Sequence, residues 1–168
     1  MKYFKSILAL SAIMALSGMM CSSAYALETG KPAPEFSTPG SNGNIQLSDY
    51  KGKIVYLDFW ASWCGPCKQS FPWMNAMQSK YGPHGFQVVA VNLDTKAEDA
   101  SQFLKTVPAN FHIAYDAKGV LPRQYDIKGM PSSVLIDRDG KILLQHAGFN
   151  EASKAKIEQA IAASIGNK

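Results

Sequence analysis

The sequence holds 168 residues, 46% of them hydrophobic, with a net charge of +4 at neutral pH. That length and apolar content suit one globular domain and exclude a disordered or fibrous chain. The charge is too mild to point to nucleic acid or an anionic membrane surface as a partner.

Met1 to Ala26 has the form of a secretory signal: Lys2 and Lys5, an apolar stretch from Ile7 to Leu16, then small residues ending in Ala24, Tyr25 and Ala26. The apolar stretch is short for a membrane span, so cleavage after Ala26 is expected, leaving residues 27–168 as one domain. A lipid anchor on Cys21 is the less favoured reading, because Gly18, Met19 and Met20 match poorly the small residues expected before a lipidated cysteine. An uncleaved N-terminal anchor is a third. Export implies an oxidising compartment, where a lone cysteine pair is either a redox pair or a staple.

Leu27 to Asp49 is rich in Gly, Pro, Ser and Asn. Residues before proline avoid the helical region, so Gly30 to Phe36 is expected to be extended. Asn44 to Leu47 alternates like a short strand. Ile54 to Trp60 is apolar apart from Asp58, and its β-branched and aromatic content predicts a strand buried on both faces. Beyond Cys64 the pattern changes to helical spacing, with Cys67, Phe71, Met74 and Tyr81 on one face and Met77 close to it. Gly82 to Gly85 breaks the chain. Phe86 to Leu93 reads as a second buried strand, and Thr95 to Glu98 as a capping box opening a helix that buries Ala100, Phe103, Leu104 and Val107. A short strand near Phe111 to Tyr115 and an irregular helix near Leu121 to Tyr125 follow. Pro131 opens an apolar strand, Asp137 to Gly140 turns a hairpin into Ile142–Gln145, and Asn150 caps a last helix striped by Ile157, Ile161 and Ile165. Alternating elements of this kind call for parallel strands with helical crossovers.

The chemistry gathers where the first buried strand ends. A helix opening at Cys64 presents unpaired N–H groups and the positive end of its dipole, which stabilise a thiolate and lower its pKa. Cys67 lies one turn later, more sheltered and near enough to close a disulfide, so the Cys64–Cys67 pair can cycle between dithiol and disulfide with Cys64 attacking. Pro66 stiffens the first turn and Gly65 leaves room for another chain. Asp58 is a carboxyl in an apolar strand with no evident cation beside it, and desolvation is expected to raise its pKa. A zinc site needs a second ligand pair, and no other Cys or paired His is suitably spaced. No metal and no cofactor are expected.

Trp63-Cys64-Gly65-Pro66-Cys67-Lys68 after Leu57-Asp58-Phe59-Trp60-Ala61 resembles the thioredoxin active site, and Pro72 falls where thioredoxins carry a kinking proline. With its leader and N-terminal extension, Gly30 to Ile165 resembles the TlpA/ResA-like thiol-disulfide oxidoreductases. The resemblance implies an α/β thioredoxin fold with a central mixed sheet, helices on both faces and an N-terminal extension. It implies proton transfer between Asp58 and Cys67, a cis Pro131 facing the cysteines, and a Met130 backbone free to pair with an extended substrate. Trp63, Gly65 and Pro66 would form the rest of the substrate contact, while Trp60 packs against the strand. The implied setting is the periplasm, acting as a monomer on disulfide-containing proteins, with electrons from a membrane donor of the DsbD/CcdA type. Two departures stand out. TlpA/ResA-like proteins usually carry a glutamate where this chain has Ser70, and many lack the acid found at Asp58.

Three other functions are open to the same thiols. A dithiol oxidant resembling DsbA would need an inserted helical region for which this chain is short. A peroxidase would need a Thr-x-x-Cys setting that is absent. A copper-binding assembly module, as in the Sco family, would need a third ligand, and His84, His112 and His146 are scattered along the sequence.

Overall fold

The computed structural model describes residues 28–166, so the leader, its proposed cleavage site and Cys21 lie outside the described residues. Seven strands and four helices follow in the order β1 (Ser37–Gly40), β2 (Gly43–Gln46), β3 (Ile54–Trp60), α1 (Gly65–Tyr81), β4 (Phe86–Asn92), α2 (Ala97–Thr106), β5 (His112–Tyr115), α3 (Val120–Gln124), β6 (Ser132–Ile136), β7 (Ile142–Ala147) and α4 (Glu151–Gly166). Single 3-10 turns occupy Leu47–Tyr50 and Gly82–His84. The strands form one mixed sheet in the order β2-β1-β5-β4-β3-β6-β7. The pairs β3–β4 and β4–β5 are parallel, and β3–β6 and β6–β7 are antiparallel. This is the thioredoxin-type α/β architecture that the residues imply.

β3 sits between β4 and β6, and every one of its residues is buried. Strand alternation sends Ile54, Tyr56 and Trp60 to one face and Val55, Leu57 and Phe59 to the other. The first face is covered by α1, α2 and α4 through Phe71, Met74, Phe103, Ile157 and Ile161. Trp60 lies across Phe71 and Phe103, with ring centroids 4.8 and 4.7 Å apart, so its role is packing; its indole N–H has no partner among the described residues.

The opposite face is covered by α3 and by the N-terminal extension, which supplies Ala33, Phe36, Ile45, Leu47 and Tyr50 to the core. The extension is stitched to β7 and its turn by Gly30 N–H to Ile142 O (2.7 Å) and Ala33 N–H to Gly140 O (2.8 Å). The Tyr125 hydroxyl donates to Pro34 O at 2.5 Å. An inert tail would bury nothing; this one closes half of the core.

The expected capping box at Thr95 does not form. Helix α2 is capped one residue later, at Lys96, which makes no side-chain cap bond. That slip moves Glu98 and Asp99 into the first turn, where their charges complement the helix dipole instead. The cap on α4 does form: Asn150 Oδ1 accepts from Ser153 N–H at 2.9 Å, and Asn150 N–H donates to Ser153 Oγ at 2.8 Å.

Phe71 is fully buried, with its ring against Trp60, Phe103 and Phe111, and so ties α1 and α2 to the sheet. Phe71→Ala is expected to destabilise the protein by about 3–5 kcal/mol in urea unfolding. Gln69→Ala, on the exposed side of the same helix, should stay within about 0.5 kcal/mol of the parent.

Candidate active site

β3 delivers the chain to the carboxyl end of the sheet, where Ala61 to Trp63 turn it into α1. Cys64 is the N-cap residue of α1, in an extended backbone conformation, and its Sγ accepts the Cys67 N–H at 3.3 Å. The two cysteines are joined as a disulfide with Cα atoms 5.3 Å apart. Cys64 keeps 6% exposure and Cys67 none, so of the two residues only Cys64 reaches the surface. Pro66 lies in the first turn, where a missing N–H breaks no helical hydrogen bond. Gly65 has no heavy atom within 4 Å of where a Cβ would stand, consistent with room for an approaching chain. Trp63, 74% exposed, stands beside it as the largest exposed apolar side chain among the described residues.

The Met130–Pro131 bond is cis. Ser132 pairs with Phe59, which sets Pro131 level with Trp60 at the same end of the sheet as the cysteine loop. Met130 is half-buried and packs against the core cluster that contains Cys64 and Cys67. Among the described residues its amide and carbonyl enter no backbone hydrogen bond, which leaves both open to an extended partner.

Asp58 is 1% exposed, on the sheet face that α1 covers, and its Oδ2 has no hydrogen-bond partner among the described residues. Burial pushes its carboxyl well above the ordinary value of 3.8. A strand-edge aspartate bonded to backbone is excluded by its place in β3, an interior strand. Ser70, where a glutamate would be usual, is buried on α1 and donates to Cys67 O at 2.9 Å. The acid near this disulfide therefore comes from the strand beneath.

Sequence reading missed a second carboxylate. Asp94, just past β4, accepts the Ser62 N–H at 3.0 and 3.2 Å, the Ser62 hydroxyl at 3.0 Å and the Asn92 amide at 2.8 Å. It thereby pins the loop between Trp60 and Cys64 to the neighbouring parallel strand. The available signal was positional: Asn92 and Asp94 end a strand parallel to β3, and α/β sites gather at the carboxyl ends of such strands.

The histidines do not converge on the thiols. His84 lies in the turn after α1, His112 on β5 with Nδ1 2.7 Å from the Tyr50 hydroxyl, and His146 on β7. Among the described residues no three His, Cys, Asp or Glu side chains are grouped to hold a metal ion. No helix among them is long and apolar enough to cross a membrane.

A disulfide at the N-terminus of a helix, one sulfur reachable and one sealed, on a thioredoxin-type sheet with a cis proline alongside, defines a thioredoxin-fold thiol-disulfide oxidoreductase. Comparison with known proteins agrees. The Redoxin family profile matches residues 28–161. The thiol-disulfide oxidoreductase ResA of Bacillus thuringiensis is 36% identical over 134 residues, covering 79% of this chain and 76% of its own length. A crystal structure from Chlorobium tepidum, of a candidate thiol:disulfide interchange protein DsbE, shares 61% identity. It superposes with a TM-score of 0.82 over 84% of this chain and all of its own. The exposed lipoprotein thioredoxin of Streptococcus pneumoniae, 31% identical, superposes at 0.68 over 77% of this chain and 99% of its own. The chain belongs to the Redoxin family, among the ResA-like thiol-disulfide oxidoreductases.

Asp94→Ala should leave the Ser62 and Asn92 donors without their acceptor and loosen the cysteine loop. The expected outcome is a loss of about 1–3 kcal/mol in urea unfolding, together with faster alkylation of the reduced thiols. Unchanged alkylation would remove Asp94 from the positioning of that loop.

Proposed function

We propose that this oxidoreductase works as an exported reductase, cleaving disulfides in periplasmic proteins after removal of residues 1–26. The observation that carries the reading is the asymmetry of the Cys64–Cys67 pair, reachable at Cys64 and sealed at Cys67, on the sheet face that holds a buried carboxyl oxygen with no hydrogen-bond partner among the described residues.

In the reduced protein the Cys64 thiolate, held by the helix N-terminus, attacks one sulfur of a substrate disulfide. A Cys64–substrate disulfide forms and the other substrate sulfur leaves as a thiolate, taking a proton from solvent. Asp58 accepts the Cys67 proton; Cys67 sulfur then attacks Cys64 Sγ and the second substrate thiolate departs. Two electrons have passed to the substrate and the protein holds its disulfide. A DsbD/CcdA-type membrane dithiol returns them, since an oxidising compartment supplies none. Met130 pairs with the substrate backbone while Trp63, Gly65, Pro66 and Pro131 form the contact surface. The protein acts as a monomer, one pair per chain.

Direction of electron flow is read by the reduction potential of the Cys64–Cys67 pair, equilibrated against glutathione or dithiothreitol. A value near about −270 mV supports the reductase, and one near about −120 mV makes the protein an oxidant.

Asp58→Asn separates chemistry from folding. Burial disfavours the ionised carboxylate, so the folded chain keeps the Asp58 proton to higher pH than the unfolded one. Its contribution to stability is therefore complete below the unfolded pKa, near about 4, and is lost as pH rises through the raised folded pKa. Asp58→Asn should stabilise the protein at pH 7 by about 1–3 kcal/mol and flatten stability against pH. Insulin reduction should slow about 10–100-fold at the same time. Unchanged insulin kinetics would remove Asp58 from the proton step.

A further inference from the structure

Resting on the proton role just given to Asp58, we propose that His146 is the solvent-side relay for that proton, reached sideways across the sheet through Ser133.

A carboxyl sealed under α1 that takes a proton in each turnover must also lose it. Its surroundings leave few ways out. On β4 its register partner is Ala90, which carries no proton. Along its own strand Tyr56 and Trp60 share its face. Burial and the Asp58 charge hold the Tyr56 phenol far above neutral pH, and that phenol hydrogen-bonds the Ser133 hydroxyl, so it leads to the same serine on β6. Above it α1 brings apolar Phe71 and Met74 and the Cys67 sulfur that starts the cycle.

The β6 side is different. Asp58 pairs with Ser133, and Ser133 pairs in turn with His146 on the edge strand β7. Directly opposed residues of antiparallel strands share a face, with Cβ atoms about 4.5–5.5 Å apart. Asp58, Ser133 and His146 thus form one lateral row, buried at Ser133 and half-buried at His146. Two strand spacings separate its ends, about 10 Å. Asp58 Oδ2 and His146 Nε2, the ends of the row, are both buried atoms that no group among the described residues engages. A rotatable hydroxyl between a carboxyl and an imidazole can accept a proton from one and donate its own to the other, directly or through one water.

The row also has an outlet, because β7 is the edge strand of the sheet and His146 is only half-buried on it. A cavity of about 290 Å³ lies on the opposite face of that strand, where Gln145 and Ala147 meet the loop Asp126–Gly129 and Ser132. The charged groups about His146 are Lys156 on α4 and the Asp126–Lys128 ion pair at that cavity; Ser133 faces it from β6. Burial and Lys156 hold the imidazole below its ordinary value, so it stands neutral and ready to accept. Once protonated beside Lys156 it passes the proton on to solvent. The proton leaves the Asp58 carboxyl, the hydroxyl hands on its own, and His146 returns to neutrality.

The test uses the full mature chain, with insulin reduction by dithiothreitol followed under multiple turnover from pH 5.5 to 8.5 in wild type, His146→Gln, Asp58→Asn and the double variant. In a non-imidazole buffer His146→Gln is expected to slow turnover about tenfold, below the 10²–10⁴ of direct acid–base transfer. Added imidazole should restore it, alkylation of Cys64 should be unchanged, and the substitution should add nothing in the Asp58→Asn background. A wild-type rate and pH profile for His146→Gln while Asp58→Asn is slow would overturn the relay and leave the Asp58 reading intact. Wild-type rates in both would overturn the Asp58 reading itself. Slowing that imidazole does not restore, accompanied by lost urea stability, would make His146 structural and likewise overturn the relay.

Discussion

The rest of the structure depends on the sealing of β3. A strand paired on both sides and covered on both faces has one fixed register, because a slip of a single residue would turn its apolar set to the wrong face. Its end point is therefore fixed too, and Cys64 meets the start of α1 without freedom to drift. Ser62, held by Asp94, continues that fixity across the only irregular backbone between the strand and the helix. What lies at the surface is the exposed rim of Trp63, Gly65 and Pro66.

The same burial that positions Cys64 leaves the Asp58 carboxyl 1% exposed, an electrostatically costly place for a charge. An aspartate in this strand cannot be an accident of packing, since an apolar residue of similar size would be easier to bury. Placing the acid on β3 instead of on α1, where Ser70 now only bonds to a backbone carbonyl, has a mechanical consequence. An acid on the helix would be carried by the same element as the cysteines; an acid on β3 is held by an interior strand paired on both sides.

Legibility followed the strength of the local signal. β3, β4 and β6 were readable because short, mostly apolar, β-branched runs bounded by Gly and Pro have few other fates, and the cysteine pair was readable because its chemistry is tied to spacing. The start of α2 was not legible to the residue: Thr95 is the better N-cap by local preference, yet Lys96 holds that place, because the local pattern does not record where the loop from β4 ends. The place of the β1–β2 hairpin beyond β5, at the sheet's edge, was not readable: it rests on a contact at Gly40 and Ala114, far apart in the chain. Asp94 was missed for the same reason. Its partner Ser62 lies 32 residues away, and neither residue is unusual in its own neighbourhood.

The two faces of the sheet divide the labour. One carries the extension, whose aromatic and aliphatic side chains fill the space over Val55, Leu57 and Phe59. The other carries the disulfide, Asp58, Ser133 and His146. A reaction that moves a proton and an electron pair in each half-cycle needs polarity near the sulfurs, and polarity in a core weakens it. Keeping Asp58 on the face of the disulfide, and closing the other with an apolar wrap drawn from the N-terminal segment, lets the chain carry a buried acid without losing the strand that holds it.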